Sequence, residues 1–495
     1  MTWDPGFEAA FNPKTVAVVG ASREAQFFGD FVGNLQRVGF PGRIYPVNPK
    51  AADGEIHGLK VYPNLVSVPE PIDLVIVSVP SHAVLSVLED CIAANAKNVQ
   101  IFTAGFKEMG DKKGIELEAR IREIAKRGGL CVVGPNCMGL HVPAAKLTTW
   151  EAVGEPGPVA FVSQSGGHAG QFAREGARFG IRFSKVISYG NAAVLDSIDF
   201  LEYLANDPET RLICMYVEGV RDGRKLTALV RDINKTKPVI VWKGGLTDSG
   251  ARAVASHTGS LGGEREVWDA FYKQTGAVRV DSFEELLYVT MTFLYLRPLR
   301  SNRVALIGAG GGNTVAGADV CARDGLELLT LTEKTQKELR SFIPPEGTII
   351  RNPLDIGVVL MDINLLLRSL EPVAADPMID SIIFALPLGF LLLGGAVSGL
   401  VNQTHQSPMD ALREALEKQS RVVLDILIKF DHENVYGKPL IVVLQPAMGP
   451  LIPGQRGRIQ QELLKESIPV YFSLERASRA VGKFVRYHEF RRSLL

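Results

Sequence analysis

Short β-branched runs alternate with helix-like stretches between about residues 14 and 139, a pattern typical of a parallel sheet covered by helices. Residues 83–94 and 114–127 place apolar side chains at helical spacing and charged side chains on the opposite face. The pattern therefore predicts a Rossmann-like layer. Its predicted strands are residues 16–19, 44–47, 74–79, 99–103 and 131–133.

The same alternation restarts after a stretch rich in Pro and Gly at 143–158, and again after a turn-forming stretch at 297–302. We therefore expect three α/β domains, at residues 1–142, 157–297 and 302–480. The predicted strands of the second are 159–162, 186–188, 212–217 and 239–242, followed by a helix at 282–296. Those of the third are 304–307, 382–385 and 440–444, with helices at 333–341 and 458–465.

Residues 381–409 contain no Asp, Glu, Lys or Arg, yet we do not predict a membrane span there. A span needs about 20 predominantly apolar residues, and Pro387, Gly389, Gly394 and Gly395 interrupt this run. We expect a buried strand followed by an apolar connection. Whether that connection covers a substrate, meets a partner chain or is an ordinary link stays open.

Charge and cysteine usage exclude several classes of partner. The 495 residues carry 54 basic and 54 acidic side chains, a formal net charge of +0. Such a chain offers no long-range field for nucleic acid or anionic lipid, so we expect no nucleic acid and no membrane as partner. The five cysteines lack metal-ligand spacing, and no basic and apolar leader follows Met1. We expect a cytoplasmic protein without a metal site of its own.

Three predicted strand-to-helix turns consist of small residues, and each could hold a phosphate group against the N–H groups of a helix N-terminus. For any single turn, a tight connection that packs helix against sheet is the simpler interpretation. The turns are Gly20-Ala21-Ser22, Ser163-Gln164-Ser165-Gly166-Gly167 and Gly308-Ala309-Gly310-Gly311-Gly312-Asn313.

The first turn departs from the dinucleotide fingerprint G-x-G-x-x-G, because Ser22 and Ala25 occupy the later glycine positions. The next strand ends in Val47-Asn48-Pro49 and supplies no carboxylate for the adenosine ribose of NAD. Coenzyme A carries a phosphate on that ribose, and a carboxylate would repel it. CoA is the better fit, and a nicotinamide-dependent oxidoreductase is disfavoured.

The second turn places Ser165 between a strand and a helix, as a hydrolase nucleophile elbow does. Ser163 stands at the first glycine of the motif G-x-S-x-G, so the motif is not met. We therefore interpret this turn as an anion cradle.

His257 lies among small residues in 253–263, which suits an imidazole that receives a phosphoryl group and swings between positions. Glu218 follows a predicted strand at the carboxyl edge, where ligand sites of α/β proteins form. A carboxylate there could accept a hydrogen bond from one ring nitrogen and leave the other as nucleophile. By composition alone, a solvated histidine and a surface ion pair are the simpler interpretations.

These features together resemble the α subunit of NDP-forming acyl-CoA synthetases, the ADP-forming acetate:CoA ligases related to the succinyl-CoA synthetase α subunit. The resemblance covers nearly the whole chain, and its most specific part is the phosphohistidine loop, Ser256-His257-Thr258-Gly259-Ser260-Leu261. The supporting motifs are Glu266-Val267-Trp268-Asp269-Ala270-Phe271, Arg279-Val280-Asp281-Ser282, Gly134-Pro135-Asn136-Cys137-Met138-Gly139, Glu218-Gly219-Val220-Arg221-Asp222-Gly223-Arg224 and Asn352-Pro353-Leu354-Asp355.

The resemblance implies an α/β fold in which a CoA-binding Rossmann domain precedes two flavodoxin-like domains of the succinyl-CoA synthetase type. It implies the reaction acyl-CoA + ADP + phosphate ⇌ carboxylic acid + CoA + ATP, through an acyl phosphate and phosphorylated His257. Glu218 matches the carboxylate partner of that histidine. The alternative is a non-catalytic CoA or acyl-CoA sensor or scaffold with the same fold.

The resemblance also implies two phosphate-binding helix ends and a CoA site. The first helix end comprises Ser163, Gln164, Ser165, Gly166 and Gly167, and the nucleotide-side one Gly310, Gly311, Gly312 and Asn313. The CoA contacts map onto Gly20, Ala21, Ser22, Asn48, Pro49, Ser78, Val79, Pro80, Thr103, Ala104, Gly105, Phe106 and Asn136.

No part of the sequence resembles an ATP-grasp domain, so the resemblance implies a separate ATP-grasp β subunit in an α2β2 assembly. That subunit and the nucleotide would hold most of the Mg²⁺ coordination, and the other substrate is a small carboxylic acid or its acyl-CoA. Two departures leave phosphate delivery and acyl specificity open. The turn at 310–313 lacks the proline more frequent in the family, and the apolar residues 390–393 have no family counterpart.

Overall fold

The computed structural model describes residues 8–22, 29–52, 54–150, 154–258, 264–308, 310–356, 363–387, 408–445 and 454–494. The chain divides into two compact units. One comprises residues 1–177 and 181–286, and the other comprises residues 178–180 and 287–495. The first two of the three main sheets lie in the first unit.

The first sheet has five parallel strands in the order β2-β1-β5-β6-β7. Its central strands are buried over their whole length, as is typical of a sheet covered by helices on both faces. The strands are β1 (Thr15–Val19), β2 (Arg43–Val47), β3 (Glu55–Ile56), β4 (Leu59–Lys60), β5 (Leu74–Val77), β6 (Asn98–Ile101) and β7 (Cys131–Val133), where β3 and β4 form a hairpin. The helices are α1 (Glu8–Phe11), α2 (Phe31–Arg37), α3 (Val84–Ala93) and α4 (Lys112–Gly128).

The second sheet has six strands in the order β13-β12-β11-β9-β10-β8, parallel except for β8. The strands are β8 (Gly139–His141), β9 (Pro156–Ser163), β10 (Phe183–Ser188), β11 (Leu212–Val217), β12 (Val239–Lys243) and β13 (Val278–Val280). The helices are α5 (Gly166–Gly176), α6 (Ser197–Asn206), α7 (Gly223–Ile233), α8 (Asp248–Thr258), α9 (Arg265–Thr275) and α10 (Phe283–Tyr295).

The β8 strand belongs to the second sheet. Residues 139–141 were expected within the first domain, but they pair antiparallel with β10 in the second sheet. One cluster of buried side chains contains Val16 and Phe31 from the first layer together with Ala160 and Ile213 from the second. The two layers therefore share apolar packing, because neither buries all of its apolar surface alone.

The second unit contains the third sheet, ordered β15-β16-β14-β17-β18-β19 and parallel except for β15. The strands are β14 (Val304–Gly308), β15 (Ile349–Ile350), β16 (Leu354–Asp355), β17 (Ser381–Pro387), β18 (Leu440–Gln445) and β19 (Val470–Tyr471). The helices are α11 (Gly311–Arg323), α12 (Glu333–Arg340), α13 (Ile363–Ala375), α14 (Pro408–Glu433), α15 (Gln455–Lys465) and α16 (Leu474–Ser493).

Several elements of this unit were not among those predicted, namely α13, α14, α16, β15, β16 and β19. The expected domain end at residue 480 lies inside α16. The buried strand expected at the start of the apolar segment is present as β17, whereas residues 388–407 lie outside the described residues. In the described part of the chain, every helix is too short or too polar to cross a bilayer.

Candidate active site

The second sheet has a topological switch point between β9 and β11. The chain leaves β9 toward β10 on one side, while β11 pairs with β9 on the other side. Ligands of open α/β sheets bind in the crevice that such a reversal opens at the carboxyl ends of the strands. Gln164 follows β9 and Glu218 follows β11, so the sequence candidates meet at this crevice.

A side chain ties these two strand ends together. Oε1 of Gln164 accepts hydrogen bonds from the backbone N–H groups of Glu218 and Gly219, at 2.6 and 3.1 Å. The backbone N–H of Gln164 donates to the carbonyl of Tyr216 at 3.1 Å. Gln164, expected as a phosphate contact, therefore uses its carbonyl oxygen to hold the turn that carries Glu218.

The two serines of the cradle shape the turn in which they lie. The buried Ser163 donates its hydroxyl to the carbonyl of Ser165 at 2.7 Å, and Oγ of Ser165 caps α5 by accepting the N–H of His168 at 3.3 Å. A helix N-terminus presents N–H groups without intrahelical acceptors, so Gly166 and Gly167 supply the donors suited to an anion. Gly167 is exposed.

Glu218 is buried, with 5% of its surface exposed, and it lies on the same strand face as Tyr216. The hydroxyl of Tyr216 donates to Oε1 of Glu218 at 3.1 Å. The ring of His168 lies 4.5 Å from the rings of both Tyr216 and Trp242, centroid to centroid. Burial lowers the pKa of His168, although the charge of Glu218 opposes that shift.

Sequence reasoning missed three residues around Glu218. Tyr216 precedes it by two residues on β11, His168 lies in the first turn of α5, and Lys243 ends the neighbouring strand β12. Nζ of Lys243 donates to the carbonyl of Glu218 at 2.9 Å. A lysine at the end of an apolar strand was the available signal, because α/β sites gather at strand ends.

The backbone around His257 differs from the expected mobile loop. His257 lies in the last turn of α8, which Thr247 begins by accepting the N–H of Gly250 at 3.1 Å. Alanines at 251, 253 and 255 favour this helix. The side chain of His257 lies outside the described residues, as do residues 259–263. Helix α8 lies against the turn Lys107–Met109, which follows strand β6 of the first sheet.

The residues expected to contact CoA follow the carboxyl ends of all five strands of the first sheet. Gly20 follows β1 with φ +90°, and a Cβ there would lie 2.2 Å from the carbonyl oxygen of Ser78, so only glycine fits. Nδ2 of Asn48 donates to the carbonyl of Ala21 at 2.8 Å. Four further candidates of this edge are exposed: Ser22, Pro49, Pro80 and Ala104.

Hydrogen bonds also join the residues that follow β5, β6 and β7 at the carboxyl edge of the first sheet. Oγ1 of Thr103 donates to the carbonyl of Val79 at 2.6 Å, and the N–H of Asn136 donates to the carbonyl of Thr103 at 2.9 Å. Asn136 adopts a left-handed backbone with φ +56°. These bonds bring the ends of three neighbouring strands, β5, β6 and β7, to one surface.

Two of the expected CoA contacts already form hydrogen bonds with another residue of this chain. The N–H groups of Gly105 and Phe106 both donate to Oε1 of Glu108, at 2.6 and 3.1 Å. The side chain of Phe106 is fully buried. A ligand could therefore reach these amides only by displacing the carboxylate of Glu108.

A carboxylate also occupies the third glycine turn, in the second unit. The N–H of Gly310 donates to Oδ1 of Asp355 at 2.8 Å, and Gly310 has φ +88°. Gly311, Gly312 and Asn313 open α11, and the last two are exposed. A carboxylate repels a phosphate group, so this turn is a less favourable anion site than the N-terminus of α5.

Within the described ranges, no group of three or more His, Cys, Asp or Glu side chains is placed to hold a metal ion. The cysteines form no disulfide there, and burial raises the pKa of the Cys137 thiol to about 12.

Two family models match the chain. Residues 14–143 match a CoA binding domain, and residues 156–293 match a succinyl-CoA ligase like flavodoxin domain. The matched ranges contain the first and second sheets with the crevice that holds Glu218. The expected α/β architecture, with a CoA-binding layer followed by a succinyl-CoA synthetase-type layer, is confirmed.

Relatives and solved structures agree with these matches. The chain is 40% identical to acetate–CoA ligase [ADP-forming] II subunit alpha of Pyrococcus furiosus, over 70% of this chain and 75% of that one. It is 32% identical to the corresponding subunit alpha of enzyme I from the same organism, over 98% of both chains. A structure of dinucleotide-forming acetyl-coenzyme A synthetase 1 from Ca. Korarchaeum cryptofilum, in complex with phosphate and ADP, aligns over 99% of both chains with 31% identity and a TM-score of 0.81.

Several relatives are longer than this chain. The match to acetate–CoA ligase [ADP-forming] I of Archaeoglobus fulgidus, at 35% identity, covers 97% of this chain and 63% of that protein. The chain thus spans less than two thirds of that relative and nearly all of the Pyrococcus subunit alpha. On these matches, the chain belongs to the ADP-forming acetate–CoA ligase family of acyl-CoA synthetases.

Proposed function

We propose that this chain is the α subunit of an ADP-forming acyl-CoA synthetase, an acid–thiol ligase that works through a phosphorylated His257. The observation that carries the proposal is the buried Glu218 at the β9–β11 switch point, held by Gln164 and Tyr216 beside the N-terminus of α5. Membership of the ADP-forming acetate–CoA ligase family supports it.

The proposed chemistry begins with inorganic phosphate at the N-terminus of α5. A phosphate oxygen attacks the thioester carbonyl carbon, the C–S bond breaks, and CoA leaves as a thiolate that takes up a proton. The N–H groups of Gly166 and Gly167 stabilise the phosphate charge, because the first amides of a helix have no intrahelical acceptors. The product is an acyl phosphate.

Two phosphoryl transfers complete the reaction. A ring nitrogen of His257 attacks the phosphorus of the acyl phosphate, and the carboxylic acid leaves as its carboxylate. Glu218 accepts a hydrogen bond from the other ring nitrogen and so favours the attacking tautomer. An oxygen of the ADP β-phosphate then takes the phosphoryl group from the histidine, which gives ATP. These steps require positioning and charge stabilisation by the protein.

CoA is the ligand that we assign to the carboxyl edge of the first sheet. Gly20, where a Cβ would collide with the carbonyl of Ser78, allows the tight turn at the switch point between β1 and β5, and Asn48 places an uncharged side chain beside that turn. An uncharged residue there is compatible with the ribose phosphate of CoA. The acyl group belongs to a small carboxylic acid.

The nucleotide half of the reaction belongs to a partner. We propose a separate β subunit with an ATP-grasp domain, in an α2β2 assembly of the cytoplasm, and the relatives named subunit alpha support a divided enzyme. Mg²⁺ would accompany ADP and ATP, and we assign none of its ligands to this chain. The turn at Gly310, Gly311, Gly312 and Asn313, of which Gly312 and Asn313 are exposed, is where the second phosphate contact is expected.

The experiment is phosphorylation of the α–β complex by labelled phosphate in the presence of acetyl-CoA. We expect an acid-labile, base-stable label on this chain that His257→Ala abolishes. His432→Ala is the matched control, because His432 is exposed and pairs with Glu466 in the second unit. Wild-type complex that binds CoA but takes up no label would contradict the ligase and point instead to a CoA sensor or scaffold.

A further inference from the structure

Lys243 is a buried lysine beside Glu218 that the proposed reaction does not yet use. Only 4% of its surface is exposed, and it is the last residue of β12. Its Nζ donates to the carbonyl of Glu218 at 2.9 Å and to the carbonyl of Gly244. The ring of Trp268, on α9, lies 5.3 Å from the same nitrogen.

Both hydrogen bonds of this ammonium go to neutral carbonyl oxygens. A buried charge is costly unless an opposite charge and hydrogen bonds compensate it. The contrast within the same sheet is Lys185, whose buried ammonium forms ion pairs with Asp207 at 2.8 Å and Glu209 at 2.9 Å. The hydrogen bonds of Lys243 thus differ from those of Lys185, although the charge of Glu218 also favours the charged form of Lys243.

Lys243 also joins two parts of the site that lie far apart in the chain. Glu218 begins the connection after β11, whereas Gly244 begins the connection that leads from β12 into α8. Helix α8 carries His257 in its last turn. The Lys243 side chain thus links the backbone of Glu218 to the end of β12, from which the chain leads into α8, the helix that carries His257.

We propose that Lys243 is a positioning residue for phosphoryl transfer, which binds the Glu218 turn to the base of helix α8 and places a positive charge beside the carboxylate. This role rests on the proposed function. Lys243 holds the backbone of Glu218 and Gly244 by hydrogen bonds. Its positive charge also makes the electrostatic potential at the proposed phosphate site less negative. The charge of Glu218, the residue after β11, acts on Lys243, and the ring of Trp268 on α9 lies 5.3 Å from its Nζ.

The charge of Lys243 should make its effect on the labelling rate depend on pH, which a purely structural role would not do. Burial lowers the pKa of Lys243 to about 8, although Glu218 raises it. The ammonium is therefore charged below pH 8 and increasingly neutral above it. An effect of its charge on catalysis must fade over the same range.

The test compares Lys243→Met with Lys237→Met in the α–β complex. Lys237 precedes the same strand at its opposite end and also donates to two carbonyls, those of Leu204 at 2.8 Å and Asp207 at 2.7 Å. We measure the single-turnover rate of His257 labelling by phosphate and acetyl-CoA between pH 6.5 and 9.5. CoA affinity, measured by calorimetry, reports that each variant is folded.

We expect Lys243→Met to slow labelling at pH 7 by about 10-fold, which is less than the roughly 100-fold that a 1 Å misplacement of reacting groups can cause. The ratio of wild-type to Lys243→Met rates should fall as the pH rises through about 8, and Lys237→Met should label like the wild type. Lys243→Gln, which keeps a donor without the charge, should recover part of the rate. The ratio of wild-type to Lys243→Gln rates should also fall as the pH rises through about 8.

A Lys243→Met complex that labels at the wild-type rate at every pH would overturn the role of Lys243. So would a constant ratio of the two rates across the pH range, or an equal loss in Lys237→Met. A wild-type complex that takes up no label would instead overturn the proposed function itself, so the two failures are distinct.

Discussion

The hydroxyl of Tyr216 donates a hydrogen bond to Oε1 of Glu218 across 3.1 Å, from two positions earlier on the same strand. Burial and the charge of Glu218 raise the pKa of Tyr216 well above its usual value, so the phenol remains a donor over the working pH range. The bond restricts the orientation of a carboxylate whose backbone Gln164 already holds. A carboxylate fixed in this way can select one tautomer of a histidine.

Tyr216→Phe removes this donor and little else. We predict that it slows phosphorylation of His257 by about 10-fold, because a hydrogen bond to a charged group contributes roughly 1.5–3 kcal/mol. Rapid-quench measurement of the labelled α–β complex would detect the change.

Tyr272→Phe is the matched control for that prediction. Its hydroxyl donates to the carbonyl of Val241 at 3.2 Å, on β12 and away from the carboxylate. Equal rates for Tyr216→Phe and the wild type would show that the phenol does not orient Glu218.

Gly244 is required for the placement of Tyr216. A Cβ at Gly244 would lie 2.7 Å from the Tyr216 hydroxyl oxygen, closer than packed atoms approach. We predict that Gly244→Ala lowers the free energy of unfolding by about 1–3 kcal/mol, as overpacking does, in urea denaturation of the purified chain. Gly223→Ala, where nothing lies within 4 Å of the added Cβ, should change it by less than about 1 kcal/mol.

The double variant identifies the cause. Tyr216→Phe removes the atom with the closest contact, so Tyr216→Phe combined with Gly244→Ala should be less destabilised than the sum of the two single changes. Strict additivity would mean that Gly244 is needed for another reason.

Stability should depend on pH through Lys243. Its pKa is about 8 in the folded chain, against 10.5 as the reference value. Between these values the unfolded chain binds more protons than the folded one, so the contribution of Lys243 to the free energy of unfolding rises with pH. We predict that the wild type gains about 2 kcal/mol relative to Lys243→Met between pH 8 and pH 10.

Thermal or urea unfolding of both proteins at matched pH values measures this gain. Other groups titrate in both proteins alike, so the difference isolates Lys243. A difference that stays level, or that falls as the pH rises, would be inconsistent with a buried ammonium of lowered pKa.

CoA recognition should respond to charge at Asn48. Asn48→Asp keeps the size of the side chain and introduces a carboxylate, which would repel the ribose phosphate of CoA. We predict that it weakens CoA binding about 5-fold more than it weakens binding of dephospho-CoA, because one like-charge contact in water is worth on the order of 1 kcal/mol. Calorimetry with both ligands measures the ratio, and equal losses would place the ribose phosphate elsewhere.

Local sequence signals predicted most strands of the three sheets and the residues at their ends. Strand 131–133 is observed with the predicted bounds as β7, and 212–217 as β11, because continuous apolar β-branched runs specify buried parallel strands. The short strand β8 was missed because its residues, Gly139, Leu140 and His141, include no β-branched side chain, and its pairing with β10 is set by contacts distant in sequence.

The sequence by itself determined that Glu218 ends an apolar strand, that small residues open α5, and that His257 lies in a stretch matching a phosphohistidine segment. These are properties of neighbouring residues, which the order of the chain already contains. Only the tertiary structure decided that Gln164 holds the Glu218 backbone from 54 positions away and that Lys243 donates to its carbonyl from 25 positions away. Such bonds depend on the order in which strands pair, and that order is settled by long-range packing of the whole sheet.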